Sequence, residues 1–270
     1  MPSEPSREPR SSAAIDVLIP AIEKDLATLP HAIDGIRKQV RDPIGSIYVI
    51  SPESAKIRRL CLRKNCRFVN EKKVLKLQKS QIRYGSKRWE RSGWLYQQFL
   101  KFSGDRVAKR RRFLTMDADT VLVRPHRFLS GSKTTFYCRG WSQPEYFRTY
   151  RRLLGRKASA RTSFVAHYML FDKAKLAKLK AEIERKHGIK WYKAIMKSID
   201  KSKPFGFSEF ETYGNYVYSK NPSSVRMKAA QNKHVHRPYR SLSDSELRRL
   251  AAKYRSLSFH QRKIYSRGRK

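Results

Sequence analysis

The sequence is poor in acid. In 270 residues, 22 aspartates and glutamates stand against 62 lysines and arginines, a formal net charge of +40. Cysteine is also scarce. The three, at positions 61, 66 and 138, cannot build a disulfide framework and leave no second pair for a four-thiolate zinc site. Reduced intracellular thiols are the expectation. Glycine and proline, 12 each, exclude a collagen-like or low-complexity chain. No stretch approaches the ~18 consecutive apolar residues of a membrane-spanning helix. The opening MPSEPSREPRSS lacks the apolar core of a secretory signal. Residues 1–13 are expected to be a disordered leader, and the protein to be soluble and cytoplasmic. No phosphate-binding Gly-x-x-x-x-Gly-Lys loop, Gly-x-Gly-x-x-Gly fingerprint or Gly-x-Ser-x-Gly elbow is present, which withholds support from an NTPase, a dinucleotide enzyme or a serine hydrolase.

What is present is enough to fold. Hydrophobic residues make up 39% of the chain and aromatics 11%, too many for a disordered polycation. Ile15 to Ile19 form an apolar run closed by Pro20. Leu29, Ala32, Ile33, Ile36 and Val40 share a helical face. Residues 46–50 and 67–69 give two further strands, with a helix between them around residues 55–62. Strand and helix alternating in this way predict a parallel α/β sheet. Residues 93–102 and 173–187 have helical spacing, and residues 134–138 and 163–171 are expected to be strands. Ser243 and Glu246 make a capping-box pattern before a last amphipathic helix.

The segment that bears most on chemistry is Phe113 to Thr120. An apolar strand runs into Asp117 and Asp119, spaced i, i+2, which an extended backbone places on one side. Such a pair can hold Mg²⁺ or Mn²⁺ through oxygen, and the cation can bind a diphosphate leaving group. The alternative is a solvated turn or an N-cap pair.

The order of these pieces resembles bacterial glycosyltransferases of the GT-A type, in particular the DUF6492 family. The likeness rests on Gly93 to Lys101, Leu114 to Pro125, Ser163 to Phe171 and Ser208 to Gly214. It covers roughly residues 14–222. It implies a GT-A-like, Rossmann-type mixed sheet flanked by helices; the capped helix and basic residues beyond it are expected to form a basic helical C-terminal extension over 223–270. It also implies a nucleotide-sugar donor, a glycan or lipid-linked acceptor, and Mn²⁺ or Mg²⁺ as cofactor.

In that frame Asp119 and Asp117 anchor the cation, with a late histidine, His236, as third ligand; a loop histidine on a basic surface is the other reading. Asp16 would lie beside the nucleotide, or serve as a structural aspartate. Gln97, Gln98 and Lys101 would contact the donor, or form a solvated helix face. His167 would touch a sugar, or be a hydrogen-bonded core residue. Trp94 and Trp141 would stack on a sugar or lie in the core. Glu209, then Glu211, are the candidates for general base in an inverting reaction; the alternative is a salt-bridge partner. Those two glutamates share a face on a strand and diverge by about 200° on a helix.

The excess charge has no nucleic-acid motif to explain it, and its basic runs are spread along the chain. Nucleic acid is therefore the weaker partner. Peripheral contact with the anionic inner face of the plasma membrane, or with an acidic acceptor, is the stronger expectation.

Overall fold

The structure is a computed structural model that describes residues 14–260. The expected leader therefore lies outside the described residues, as do the last ten residues of the C-terminal extension.

The first half is an alternating unit. It runs through β1 (Ile15–Pro20), α1 (Leu29–Gln39), β2 (Ile44–Ser51), α2 (Ala55–Arg63) and β3 (Arg67–Asn70), with β1–β2 and β2–β3 both parallel. A loop-rich stretch holds the short hairpin of β4 (Gly85–Ser86) and β5 (Trp89–Glu90) before α3 (Ser92–Phe102). Next, β6 (Arg112–Met116) returns to pair parallel with the other edge of β1. The chain goes on through β7 (Thr120–Leu122), β8 (Leu129–Ser130), β9 (Lys133–Cys138) and α4 (Pro144–Leu154). It then enters β10 (Tyr168–Asp172), which closes the main sheet antiparallel to β6. The strand order is β10-β6-β1-β2-β3. Helices α5 (Lys173–His187), α6 (Trp191–Ser198) and α7 (Glu209–Lys220) follow.

Past residue 222 the expected helix is present as α8 (Asp244–Lys253), but strands accompany it: β11 (Val225–Ala229), β12 (Asn232–His234) and β13 (Ser256–Ser258). These strands tie the segment back to the rest. β11 pairs with β9, and β13 pairs antiparallel with β7.

Period-two alternation sorts the sheet's side chains into two cores. Val17, Ile19, Leu114 and Met116 face one way and pack with Ile33 and Ile36 of α1 and Ile57 of α2. Leu18, Phe113 and Phe171 face the other way and pack with Phe99 of α3, Leu176 of α5 and Phe210 of α7. Because both faces are covered, β1 reads as a nearly unbroken apolar run.

Local signals behave as their chemistry requires. Asp172 Oδ1 accepts from Ala174 N (3.0 Å) and Lys175 N (3.2 Å) at the start of α5, and Gly188, at φ +65°, ends it. Residues 163–171 are not strand throughout. β10 begins at Tyr168, because His167 takes a left-handed φ of +68° that breaks the extended run.

β1 has β2 on one side and β6 on the other, so the strand order reverses beside it. Ligands of open α/β sheets bind at the carboxyl ends of strands at such a reversal. Here those ends are Pro20 and Met116, and Asp117 follows directly.

The approach of α1 to β7 depends on Gly35, where an added Cβ would lie 2.9 Å from the Leu122 carbonyl oxygen. Gly35→Ala would gain about 1 kcal/mol of helix propensity. Against rigid backbone, the overpacking costs about 1–3 kcal/mol. The expected net result is a lower urea midpoint with an unchanged denaturant slope.

Candidate functional site

The turn between β6 and β7 carries Asp117 and Asp119. Thr120 N donates to Asp117 O at 3.2 Å and Asp117 N donates to His167 O at 2.9 Å. The residue just before β10 is thereby joined to the end of β6. The two aspartates, neighbours in sequence, have opposite circumstances.

Asp117 is spent inside the protein. Its Oδ1 is paired with Lys101 Nζ, and its Oδ2 lies 3.0 Å from His167 Nδ1. Lys101 Nζ also reaches Glu209 Oε1 at 2.9 Å. Lys101 is 2% exposed and Glu209 0%. Burial works against charge on all four groups, and the partners decide the outcome. For Asp117, burial pushes upward, but Lys101 and His167 outweigh it and hold the carboxyl well below its usual range. For Lys101, burial pulls downward, and the two carboxylates outweigh it to hold the ammonium above its usual value. For Glu209, burial prevails and pushes the carboxyl up. For His167, burial likewise prevails and pulls the imidazole down. The set is thus an Asp117–Lys101 ion pair flanked by a glutamic acid and an imidazole that both tend toward neutrality. Neutral His167 donates from Nδ1 to the carboxylate.

Asp119 lies at the wall of a cleft. β13, antiparallel to β7, places Ser258 opposite Thr120, and Phe259 N donates to Asp119 O at 2.8 Å. His260 is thereby delivered beside the aspartate, with its Nδ1 2.7 Å from Asp119 Oδ2. Burial pushes Asp119 up, and His260 outweighs it to keep the carboxyl below its usual value. Asp119 Oδ1 is buried and has no hydrogen-bond partner. His260 also stands 4.9 Å, ring to ring, from His167, and stacks on His234 at 5.3 Å.

Asp119 and His260 line a cleft of about 1060 Å³ at the carboxyl ends of β1, β2 and β6. Its walls include Trp94 and Gln97 of α3, with Lys24, Lys79 and Arg91 supplying positive charge. Asp25 also lines it, from a 3₁₀ turn at Glu23–Ala27. Burial pushes the Asp25 carboxyl up to about 6, against a hydrogen bond from Ile22 N, and the charges of Asp119 and Asp117 add to the rise. Part of the floor of this basic protein's cleft is therefore negative.

Several expected roles change. Asp16 sits at the amino end of β1, away from the cleft at Pro20, and accepts hydrogen bonds from Ser46 N (2.9 Å), Lys109 N (2.7 Å) and Arg110 N (2.9 Å). It staples loops at the far end of the sheet and does not line the cleft. Gln97 lines the cleft, whereas Gln98 is buried outside the lining and Lys101 lies beneath it. Glu209 and Glu211 open α7, so their side chains diverge. Neither lines the cleft. Glu211 accepts from Ser163 Oγ (2.6 Å), Ser142 Oγ (2.9 Å) and Asn215 Nδ2 (2.8 Å). These bonds make it an internal anchor, and the structure places both candidate bases, Glu209 and Glu211, in the interior and outside the cleft lining. His236 lines the cleft, but the histidine on Asp119 is His260, which the sequence reading passed over within the basic tail. The alternating Ser256-Leu257-Ser258-Phe259 is the available signal, since it marks a strand that ends two residues before His260. Trp141 is 51% exposed and neither lines the cleft nor joins a core.

Among the described residues no three His, Cys, Asp or Glu side chains converge as a metal-binding group. Asp117 does not add to Asp119 and His260 because both its oxygens are taken.

A profile described as a family of unknown function, DUF6492, matches residues 35–258. The chain belongs to that family. No curated protein matches it in sequence. Among solved structures, the bifunctional glycosyltransferase WbbM in its apo form superposes with a TM-score of 0.53 at 12% identity, over 95% of this chain and 47% of that one. The galactosyltransferase LgtC, solved with donor and acceptor sugar analogues, gives 0.48 at 13% identity over 94% and 92%. Mouse xyloside xylosyltransferase 1, apo form, gives 0.45 at 12% over 92% and 98%. At such identities the likeness concerns the fold, and the fold of this DUF6492 chain is that of the GT-A glycosyltransferases.

The buried cation can be tested directly. Lys101→Met strands Asp117 without its counter-charge, which should cost about 3–5 kcal/mol in urea unfolding. Adding Asp117→Asn removes the stranded charge and should recover much of that loss. An additive double variant would disprove the pairing.

Proposed function

We propose that this protein is a glycosyltransferase, which moves a sugar from a nucleoside diphosphate donor to a hydroxyl of a glycan or lipid-linked acceptor with the help of Mn²⁺ or Mg²⁺. The observation that carries this reading is the unpartnered Oδ1 of Asp119, set beside His260 at the floor of a large cleft at the strand-order reversal. The fold shared with WbbM supports it.

The residues fit a hard cation. Mg²⁺-type sites take one or two protein carboxylates and let substrate phosphates complete the shell, so two protein ligands are sufficient. Asp119 and His260 would hold the ion. When bound, the ion would neutralise charge on the diphosphate leaving group. The protein's own contributions are separate. Lys24, Lys79 and Arg91 draw the phosphates into the cleft, and Trp94 and Gln97 offer a stacking face and an amide for the base or sugar. The Lys101–Asp117 pair fixes the turn from which Asp119 projects. No helix among the described residues is long and apolar enough to cross a membrane. A cytoplasmic protein, peripheral at the inner face of the plasma membrane, is the location this reading favours.

Thermal unfolding with nucleotide sugars provides the test. A donor plus Mn²⁺ should stabilise the protein by about 2.7 kcal/mol at a hundredfold excess over Kd. Asp119→Asn and His260→Ala should remove the metal-dependent part. Transfer activity should fall roughly a hundredfold or more in Asp119→Asn. The metal effect should also weaken as pH falls through about 6. Asp25 takes up a proton there, and the cleft floor loses a negative charge. Equal stabilisation in the wild-type protein and both variants would overturn the site.

A further inference from the structure

A second charged site lies at the other end of the strand pair that carries His260. Val123 N and Arg124 N both donate to Arg255 O (2.9 and 3.3 Å), and Arg255 N donates to Gln231 O (2.9 Å). Three segments therefore cross at one point: the exit of β7, the loop after β11 and the entry to β13. Each brings basic side chains. Arg124 and Arg255 come from the first and third, and Lys228 and Arg226, on one face of β11, come from the second.

These positions share one neighbourhood: Lys228 pairs with Tyr137 across β11 and β9, the Tyr137 ring lies 4.7 Å from that of His126, and His126 Nδ1 is 2.7 Å from Arg124 O. After burial, the groups that depress Lys228 are Arg255, Arg124 and Arg226. Arg255, Lys228 and Arg124 likewise help hold the buried His126 down at about 4, behind burial itself. Among the described residues none of the four forms an ion pair. Arg124 and Arg255 make only long bonds to carbonyls, to Ala252 O (3.5 Å) and Pro125 O (3.4 Å). Arg255 Nε is buried and has no hydrogen-bond partner. Asp42, the carboxylate that reaches this region, spends its oxygens on Phe128 N (2.6 Å) and Leu129 N (3.0 Å). Beneath the cluster lie the rings of His126, Tyr137 and Tyr168, with the His126 ring 4.7 and 5.0 Å from the other two.

Like charges held together, with guanidinium donors to spare, suit an anion that accepts several hydrogen bonds at once. From this juxtaposition we infer that Arg124, Arg226, Lys228 and Arg255 form a binding site for a phosphate group. The site is separate from the cleft. None of the four lines it, and β13 puts roughly 15 Å between Arg255 and the turn at Asp119, at about 3.3 Å per residue. The phosphate belongs either to a lipid headgroup or to a soluble phosphate ester. Either would be gripped about one strand length from the cation site.

The test uses the full chain. Inorganic phosphate should raise Tm more than chloride at equal ionic strength. In Arg124→Gln/Lys228→Gln/Arg255→Gln that rise should fall by at least half. Lys193→Gln/Lys197→Gln/Lys201→Gln, with the same charge change on the exposed side of α6 and the loop after it, should keep it. Arg226→Gln/Lys228→Gln, confined to exposed positions of β11, covers the case in which the triple variant fails to fold, and should show the same loss. Equal losses in cluster and control variants, or no phosphate effect beyond chloride, would overturn the site. Vesicles distinguish the source. Loss of pelleting with phosphatidylglycerol, but not phosphatidylcholine, in the cluster variants assigns a lipid headgroup. Unchanged pelleting with a lost phosphate effect assigns a soluble ester. Stabilisation by nucleotide sugar and Mn²⁺ should survive in every variant, so the two sites stand or fall separately.

Discussion

The buried ion pair of Lys101 and Asp117 is the interaction on which the rest of the site depends. It gathers four parts of the chain that are distant in sequence: α3 supplies the lysine, the turn after β6 the aspartate, the residue before β10 the imidazole, and the start of α7 the glutamate. Removing two charges from water costs several kcal/mol per ion, and close pairing with further hydrogen bonds offsets that cost. A third charge of full strength would upset the balance, and burial answers this by pushing Glu209 toward its neutral form. The left-handed backbone at His167 belongs to the same arrangement. Strain of this kind costs on the order of 1–3 kcal/mol and persists where surroundings over-determine it. Here two bonds between His167 and Asp117, one through the backbone and one through the side chains, hold it in place.

That pairing gives the two aspartates different work. A strand spacing of i, i+2 suggests equivalent carboxylates aimed at one ion, but they sit in a turn rather than in the strand. Asp117 faces inward and is neutralised by protein. Asp119 keeps one oxygen unspent at the cleft, with His260 on the other. On the proposed reading the cation would be held by half a carboxylate pair plus a histidine brought by β13, which would make the segment after residue 222 part of the site.

The sheet was legible because its signals are local and periodic. Apolar runs at β1, β2 and β6, the helical face of α1 and the caps of α5 and α8 all follow from spacing within one element. The site was legible only in part, because partners across the chain set its roles. Glu209 and Glu211 looked alike as an acidic island. Once helical, they diverge, so that one meets Lys101 and the other meets Ser142 and Ser163. Asp16 looked like a nucleotide contact, but position along β1 decides which end of the sheet it serves. His260 follows two residues after a short strand, and the alternation of residues 256–259 marks that strand without saying that its histidine, rather than those at 234 and 236, meets Asp119.

The scarcity of acid explains why the basic excess is uneven in its consequences. Many of the carboxylates are consumed by the fold: Asp16 and Asp42 by backbone N–H groups, Asp172 by a helix start, Glu211 by hydroxyls and an amide. After residue 222 the acids are Asp244 and Glu246 alone, and Glu246 is paired with Arg237. The cations carried by β11 and the entry to β13 thus have no carboxylate to meet, while backbone bonds at Arg255 force them together. Repulsion fixed by backbone pairing is not relieved by a side chain swinging away when the donors converge from three segments. The anion inferred above would offset that repulsion. With such an anion site the net charge of +40 would act on the surroundings through this convergence more than through its total, because isolated exposed charges are screened by salt within about 10 Å.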